Sequence, residues 1–237
     1  MQAKFPFPLP FTLSSAFSLH ELPSIARARL KMTRLHVYLL VLATFTASTL
    51  MIIASIFQPR WISYHVTSQA GGSFDVHIGL HERCFSTHDP PCAPYPPADL
   101  CEGNGGRYFC SMWRTAGFLA SFSAILCLAT LVCFLIIIMG GKYKREIGWP
   151  LVSGMLTVVA MTEFVVISAV AFLFDHDDQF AIPDWSLDVS WAISLASAIA
   201  TLAAAVGLTA SAYLLKPEEG YDYLEDPLDD PFPEYVG

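Results

Sequence analysis

Four long apolar runs decide what this chain can become. They fall at about residues 35–57, 115–139, 149–174 and 189–215. Each is longer than the roughly 20 residues that cover a hydrocarbon core of about 30 Å at about 1.5 Å per residue. Backbone polar groups in lipid must be satisfied within their own segment, so runs of this kind cross as helices. Charged residues make up only 14% of the chain, against about 25% in an ordinary soluble domain, and they cluster between the runs. The composition therefore predicts an all-α membrane protein built as a four-helix bundle. The first run is too long for the apolar core of a cleaved signal peptide and reads as a signal anchor.

Orientation follows from Lys and Arg in the short flanks. Arg27, Arg29, Lys31 and Arg34 precede the first run, and Lys142, Lys144 and Arg145 follow the second. The loop after the third run, Asp175-His176-Asp177-Asp178, carries neither residue type. Both termini are expected in the cytoplasm, with loops 59–113 and 175–188 outside. Trp113, Trp149, Trp185 and Trp191 lie near run ends, where amphipathic rings favour the membrane–water interface. Pro150 is expected in the first turn of the third helix, where proline is tolerated.

The outer loop, 59–113, carries a pattern of its own. Phe74, Val76, Ile78 and Leu80 alternate with Ser73, Asp75, His77 and Gly79, the period-two signature of a half-buried strand. Upstream, Ile62, Tyr64 and Val66 alternate with Ser63, His65 and Thr67, and Gly71-Gly72 between the two stretches suits a turn. An antiparallel hairpin follows, packed on aromatic residues such as Trp61. Two strands alone are marginal in water, so the hairpin needs a staple. Cys84, Cys92, Cys101 and Cys110 lie in the loop expected outside, where disulfides persist. Four cysteines allow three pairings and the sequence does not choose among them. Cys127 and Cys133 fall inside the second run and read as inert apolar residues.

Trp61, then Gly79-Leu80-His81-Glu82-Arg83-Cys84, a further cysteine, and Arg114 at the mouth of the second run form a pattern that resembles the claudin superfamily, which also holds the peripheral-myelin-type and calcium-channel γ-type four-span proteins. The resemblance covers about residues 35–215. His81 stands where that family usually has Trp, and two additional loop cysteines blur which one is the family's second. The Pro-rich insert and acidic tail look more like the fungal claudin-like plasma-membrane proteins than animal tight-junction claudins. The resemblance implies a left-handed four-helix bundle carrying a small disulfide-stapled extracellular β-sheet. It also implies a role in side-by-side assembly, adhesion, membrane-domain formation or channel modulation.

Glu163 lies near the middle of the third run. A carboxylate there costs about 2.5–3.5 kcal/mol on insertion scales and is by default a functional candidate. No other run centre carries a charge, so the reading adopted is a neutral Glu163 hydrogen-bonded to a neighbouring helix, with Thr130, Thr201 or Ser197 as partner. The fourth run carries Ser197, Thr201 and Ala205, and also Ala203, Gly207 and Ser211, at four-residue spacing. Such stripes of small residues let helices pack closely.

Residues 1–34 are expected to be a disordered cytoplasmic segment or an extension upstream of a start at Met32, in preference to a targeting presequence. The acidic, Pro-broken tail 216–237 is too polar to fold. Within it Tyr221 and Leu224 match the Tyr-x-x-Leu form of a sorting signal. No Gly-rich phosphate loop, His-Glu-x-x-His or nucleophile elbow is present, and no basic patch suggests nucleic acid. His65, His77, His81 and His88 read as solvated histidines, with no metal site and no cofactor. The expectation is a non-enzymatic, multi-pass plasma-membrane protein that organises membrane domains or surface contacts through its outer loop. Its partners would be membrane lipids, other membrane proteins and, laterally, copies of itself. The alternatives are an accessory subunit of a channel or signalling complex, and a small ion pathway using Glu163.

Overall fold

The computed structural model of the chain describes residues 34–67, 73–87, 91–102, 106–182 and 184–214. The termini, with Tyr221, Leu224 and the expectations for residues 1–33 and 216–237, lie outside the described residues, as does His88. Among the described residues, four helices are long and apolar enough to cross a membrane. They are α1 (Arg34–Phe57), α3 (Gly106–Met139), α4 (Gly141–His176) and α5 (Val189–Leu214), with a short α2 (Ala98–Glu102) before α3. α1 packs on α3 and α5, and α4 packs on the same two, which closes a four-helix ring.

Two helices begin earlier than the apolar runs suggest. α3 starts at Gly106 and runs for 34 residues, about 51 Å at 1.5 Å per residue, so it outreaches a hydrocarbon core by several turns. Its extra turns hold Phe109, Cys110 and Trp113, all buried. The apolar contacts they make under the sheet carry the helix past the length that a hydrocarbon core needs. Arg114 therefore sits well inside α3 rather than at the mouth of a span. α4 starts at Gly141, and Pro150 lies inside it, not in its first turn. Gly141 takes φ +80° at the tight α3–α4 turn, a conformation that favours glycine. The Tyr38 hydroxyl of α1 donates to the Arg145 carbonyl at 2.8 Å, which docks the early turns of α4 on the bundle.

The sheet has five antiparallel strands in the order β4-β3-β2-β1-β5. β1 (Ile62–Thr67) and β2 (Ser73–Ile78) form the expected hairpin, with Ile62 opposite Ile78 and Tyr64 opposite Val76. β2 ends at Ile78, so Gly79 and Leu80 lie past the strand and not within it. β3 (Glu82–Phe85) and β4 (Cys92–Pro94) extend one side. β5 (Trp185–Leu187), from the loop between α4 and α5, pairs with β1 on the other. Both inter-helix loops on this side of the bundle thus belong to one sheet.

The core has two parts. One sits between sheet and helices, around Trp61, Ile62, Val76, Ile78, Leu80, Tyr95, Phe109, Trp113 and Phe180. The other lies within the bundle, around Phe45, Phe134, Leu156 and Leu208. Of the α5 stripes, Ser197, Thr201 and Ala205 are buried in the bundle, whereas Ala203 and Gly207 are exposed on its outer face.

Candidate functional site: the sheet and its mount

Three residues of the Trp/Gly-Leu pattern make the joint between sheet and helices. Trp61, 1% exposed, donates from Nε1 to the Ser55 carbonyl at the end of α1, 2.7 Å away. Its backbone N–H donates to Ile78 O at 2.9 Å, so one residue is tied to both the helix and the second strand. Leu80 is buried, and its carbonyl accepts from Trp113 Nε1 of α3 at 3.2 Å. Gly79 lies where the chain crosses Pro59. A Cβ at Gly79 would stand 2.7 Å from Pro59 Cα, so the position admits only glycine without moving backbone. Its N–H donates to Glu82 O at 2.8 Å, closing the turn into β3.

Trp113 is fully buried in this joint, stacked on Phe109 at 5.5 Å and edge-on to Tyr95 at 5.5 Å. Its place is the core between helix and sheet, not the membrane–water interface expected for it. Trp185 likewise belongs to β5, 4.8 Å from Tyr64 and 5.4 Å from Phe180 by ring centroids. Trp149, by contrast, sits at the other end of the bundle against Tyr213. Burial pushes the Tyr95 phenol above the usual range, with a smaller downward pull from Arg83. Arg83 caps the Phe85 ring at 4.5 Å, and burial draws its guanidinium down from the ordinary arginine range.

The pairings that the sequence left open are Cys84–Cys92 and Cys101–Cys110. The first joins directly opposed residues of β3 and β4, with Cα atoms 4.0 Å apart. The second fastens α2 to the first turns of α3. Cys127 and Cys133 are free. Arg114 is exposed on α3, with Nη2 3.7 Å from Cys101 Sγ, and is not brought to Trp61, Gly79 or Leu80. His81 is exposed, and its ring lies over Gly117, with Nε2 3.5 Å from the Ser121 hydroxyl.

β5 and the residue after it are what sequence reasoning missed. Asp188 binds Ser63 of β1, lies 3.6 Å from Arg60 Nε, and accepts from the backbone N–H of Val189 at 2.7 Å. Ser63 also lies 2.8 Å from His77 Nδ1. The backbone closes the same seam, with Asp188 N–H to Trp61 O and Ser190 N–H to Arg60 O, both 3.0 Å. The tops of α1 and α5 are thereby knitted to the sheet by one polar cluster. The order of Ser63 between His77 and Asp188 does not make a nucleophile triad, which needs the histidine in the middle. On the outer face His65 pairs with Asp75 across the hairpin. Among the described residues no group of three or more His, Cys, Asp or Glu side chains could hold a metal ion.

Glu163 is 4% exposed in the bundle. Its Oε1 lies 3.3 Å from the Ser123 hydroxyl of α3, and its Oε2 lies 3.4 Å from the Ser197 hydroxyl of α5. Ser197 is one of the expected partners. Thr130 instead donates to the Leu126 carbonyl in its own helix, Thr201 makes no bond to Glu163, and Ser123 is a partner that the sequence did not single out. Facing of this kind depends on helix rotation, which no spacing within one helix reveals. No family model matches the chain, and no curated protein matches it.

Proposed function

We propose that this is a non-enzymatic, multi-pass protein of the claudin-like kind that organises the plasma membrane, with its sheet outside the cell and both termini inside. Its outer sheet is a stiff contact plate for lateral assembly with copies of itself and with other membrane proteins. The observation that carries this reading is the β1–β5 pairing. It merges two loops into one sheet; one disulfide staples β3 to β4, another fastens α2 to α3, and two buried indoles mount the sheet on the helices. A catalytic or transport role does not call for such a mount, whereas a docking surface gains affinity from preorganisation. The Trp61, Gly79-Leu80 and Cys84 pattern supports the same reading. Trp61, Gly79 and Leu80 are the joint that holds the sheet, and Cys84 staples its β3–β4 edge.

The test uses the full chain expressed in cells. Intact cells are treated with an impermeant thiol reagent before and after reduction, and proximity between two differently tagged copies is measured. The expected outcome is that the loop cysteines react only after reduction and only from outside, and that copies lie close together. Phe74→Asp and Ile182→Asp, at two exposed apolar positions, should lower the proximity signal while leaving insertion and disulfides intact. Loop cysteines that label only after permeabilisation, or copies no closer than unrelated membrane proteins, would overturn the proposal.

A further inference from the structure

A narrow void of about 10 Å³ lies in the bundle directly beneath Trp61, room for about one water-sized sphere. Four oxygen-bearing side chains from all four long helices line it: Ser55, Ser123, Glu163 and Ser194. Ser194 donates to Ser55 Oγ at 2.8 Å, and Ser55 in turn donates to the Ile52 carbonyl at 2.8 Å. The remaining wall is apolar, formed by Ile52, Ile56, Ala120, Val166 and Ile167.

The carboxylate at the edge of this void has no cationic partner, since no Lys, Arg or His occupies the middle of any apolar run. A carboxyl group in such surroundings must be neutralised, by a proton or by a bound cation. Its oxygens stand 3.3 and 3.4 Å from the Ser123 and Ser197 hydroxyls, longer than the roughly 2.5–3.0 Å of an O–H···O bond. Oxygens that share a hard cation at about 2.4 Å, at right angles around it, stand about 3.4 Å apart. Close by, Ser197 reaches the Ser48 carbonyl at 3.1 Å. The Ser48 hydroxyl itself is buried without a partner, as is that of Thr201 one turn further along α5.

We infer that this void is a binding site for one monovalent metal cation, sodium, held by Glu163 with the hydroxyls of Ser123 and Ser194, which line it, and of Ser197, which reaches Glu163 Oε2 from beside it. A single positive charge leaves the interior neutral, whereas a divalent ion would leave it charged. All-oxygen ligation by a carboxylate and hydroxyls suits a hard cation and disfavours zinc or copper. Sodium competes here with the proton that otherwise neutralises Glu163. Cys127, buried on α3, is another titratable group close enough to act on Glu163 electrostatically.

The test uses the full chain in detergent, prepared free of sodium at about pH 8 in choline chloride. The thermal unfolding midpoint is followed as sodium, potassium or choline is varied at constant ionic strength. Modification of Glu163 by dicyclohexylcarbodiimide, which attacks protonated intramembrane carboxyls, is followed by mass spectrometry. Sodium should raise the midpoint by several degrees in a saturable way and slow the modification several-fold, with potassium much weaker. Ser123→Ala should need several-fold more sodium for the same midpoint shift, and Glu163→Gln should lose the sodium response. Ser123→Ala alone decides the assignment if Glu163→Gln does not fold. A midpoint that is the same in sodium and choline overturns the inference and leaves Glu163 a proton site. So does a sodium response unchanged by both variants.

Discussion

Trp113 Nε1 donates to Leu80 O across 3.2 Å, and with that bond a residue about two turns into α3 holds the segment between β2 and β3. Neither atom has another route to satisfaction in so apolar a place. The bond fixes where the sheet stands over the helices, and the packing of Trp113 on Phe109 and Tyr95 fixes its tilt.

Removing the bond while keeping the ring should therefore be costly for its size. Trp113→Phe leaves the Leu80 carbonyl buried and unpaired, at about 1–3 kcal/mol. Trp113→Ala adds a cavity and should cost about 3–5 kcal/mol. Thermal midpoints of the two variants in detergent, followed by near-UV circular dichroism, should fall in that order. Equal midpoints for wild type and Trp113→Phe would mean that the bond contributes nothing.

Gly79 and Gly154 offer a matched pair. A Cβ at Gly79 meets Pro59 backbone at 2.7 Å, whereas one at Gly154 meets nothing within 4 Å. Gly79→Ala should sharply reduce the yield of folded, disulfide-bonded protein. Gly154→Ala should be neutral or stabilising by up to about 1 kcal/mol, the helix propensity gained. Similar behaviour of the two in an expression and gel-filtration comparison would contradict the close approach.

Peptide mapping without reduction, after free thiols are alkylated, should recover Cys84–Cys92 and Cys101–Cys110 with Cys127 and Cys133 alkylated. Each bridge closes a short loop, worth about 2–3 kcal/mol in the chain-entropy account. Cys84→Ser with Cys92→Ser should lower the midpoint and loosen β4. Cys101→Ser with Cys110→Ser should free α2. Either of the other two pairings in the map would refute this arrangement.

Tyr95 gives the joint a signature in alkali. Unfolded, its phenol titrates near about 10; folded, burial holds it higher. The unfolded chain thus gives up a proton that the folded one keeps. The resulting stability is fully present below about pH 10 and is lost as the pH rises through the folded value. The midpoint of the wild type should drop more steeply between about pH 10 and 11 than that of Tyr95→Phe. Parallel curves would show that the phenol is not buried in this way.

Asp188→Ala removes acceptors used by Ser63 and Val189 and the ion pair with Arg60. A loss of about 1–2 kcal/mol is expected, in line with a charge-assisted bond and a lost helix-end contact. Hydrogen exchange should show faster opening of β5 and of the first turn of α5, while β2 and β3 stay protected. Uniform exchange across the sheet would argue that β5 is not held separately by this residue.

The four helices and the β1–β2 hairpin were readable because their periods are long and unambiguous, over 20 apolar residues in one case and six alternating ones in the other. Helix ends were less so. Residues 106–114 are too polar for a lipid-facing segment, and what makes them helical is the sheet they touch, which no local pattern encodes. β5 is only Trp185-Ser186-Leu187, too short for alternation to register, and its partner β1 lies more than 100 residues away. The role of Gly79 was visible as a motif, but the reason for it is the passage of Pro59, a contact between segments. Ser197 was named as a neighbour of Glu163 from its place in the fourth run. Ser123 was not, since the rotation of α3 is set by its packing on the other helices, which no spacing within one run records. Trp113 and Trp185 misled for a related reason: an indole near a span end suits an interface and a sheet–helix core equally well.

The β1–β5 seam also has a mechanical meaning. α1 reaches β1 through a few residues, and β5 reaches α5 through Asp188 alone, so the two helices end in neighbouring strands of one sheet. Hydrogen bonds across adjacent antiparallel strands resist sliding along the strands as a set. A sideways pull on the plate is therefore shared by α1 and α5 together, and neither can piston through the bilayer without shearing the whole ladder. Tension applied to the sheet would reach the far end of the bundle as a tilt of this helix pair, with little stretch taken up at the joint.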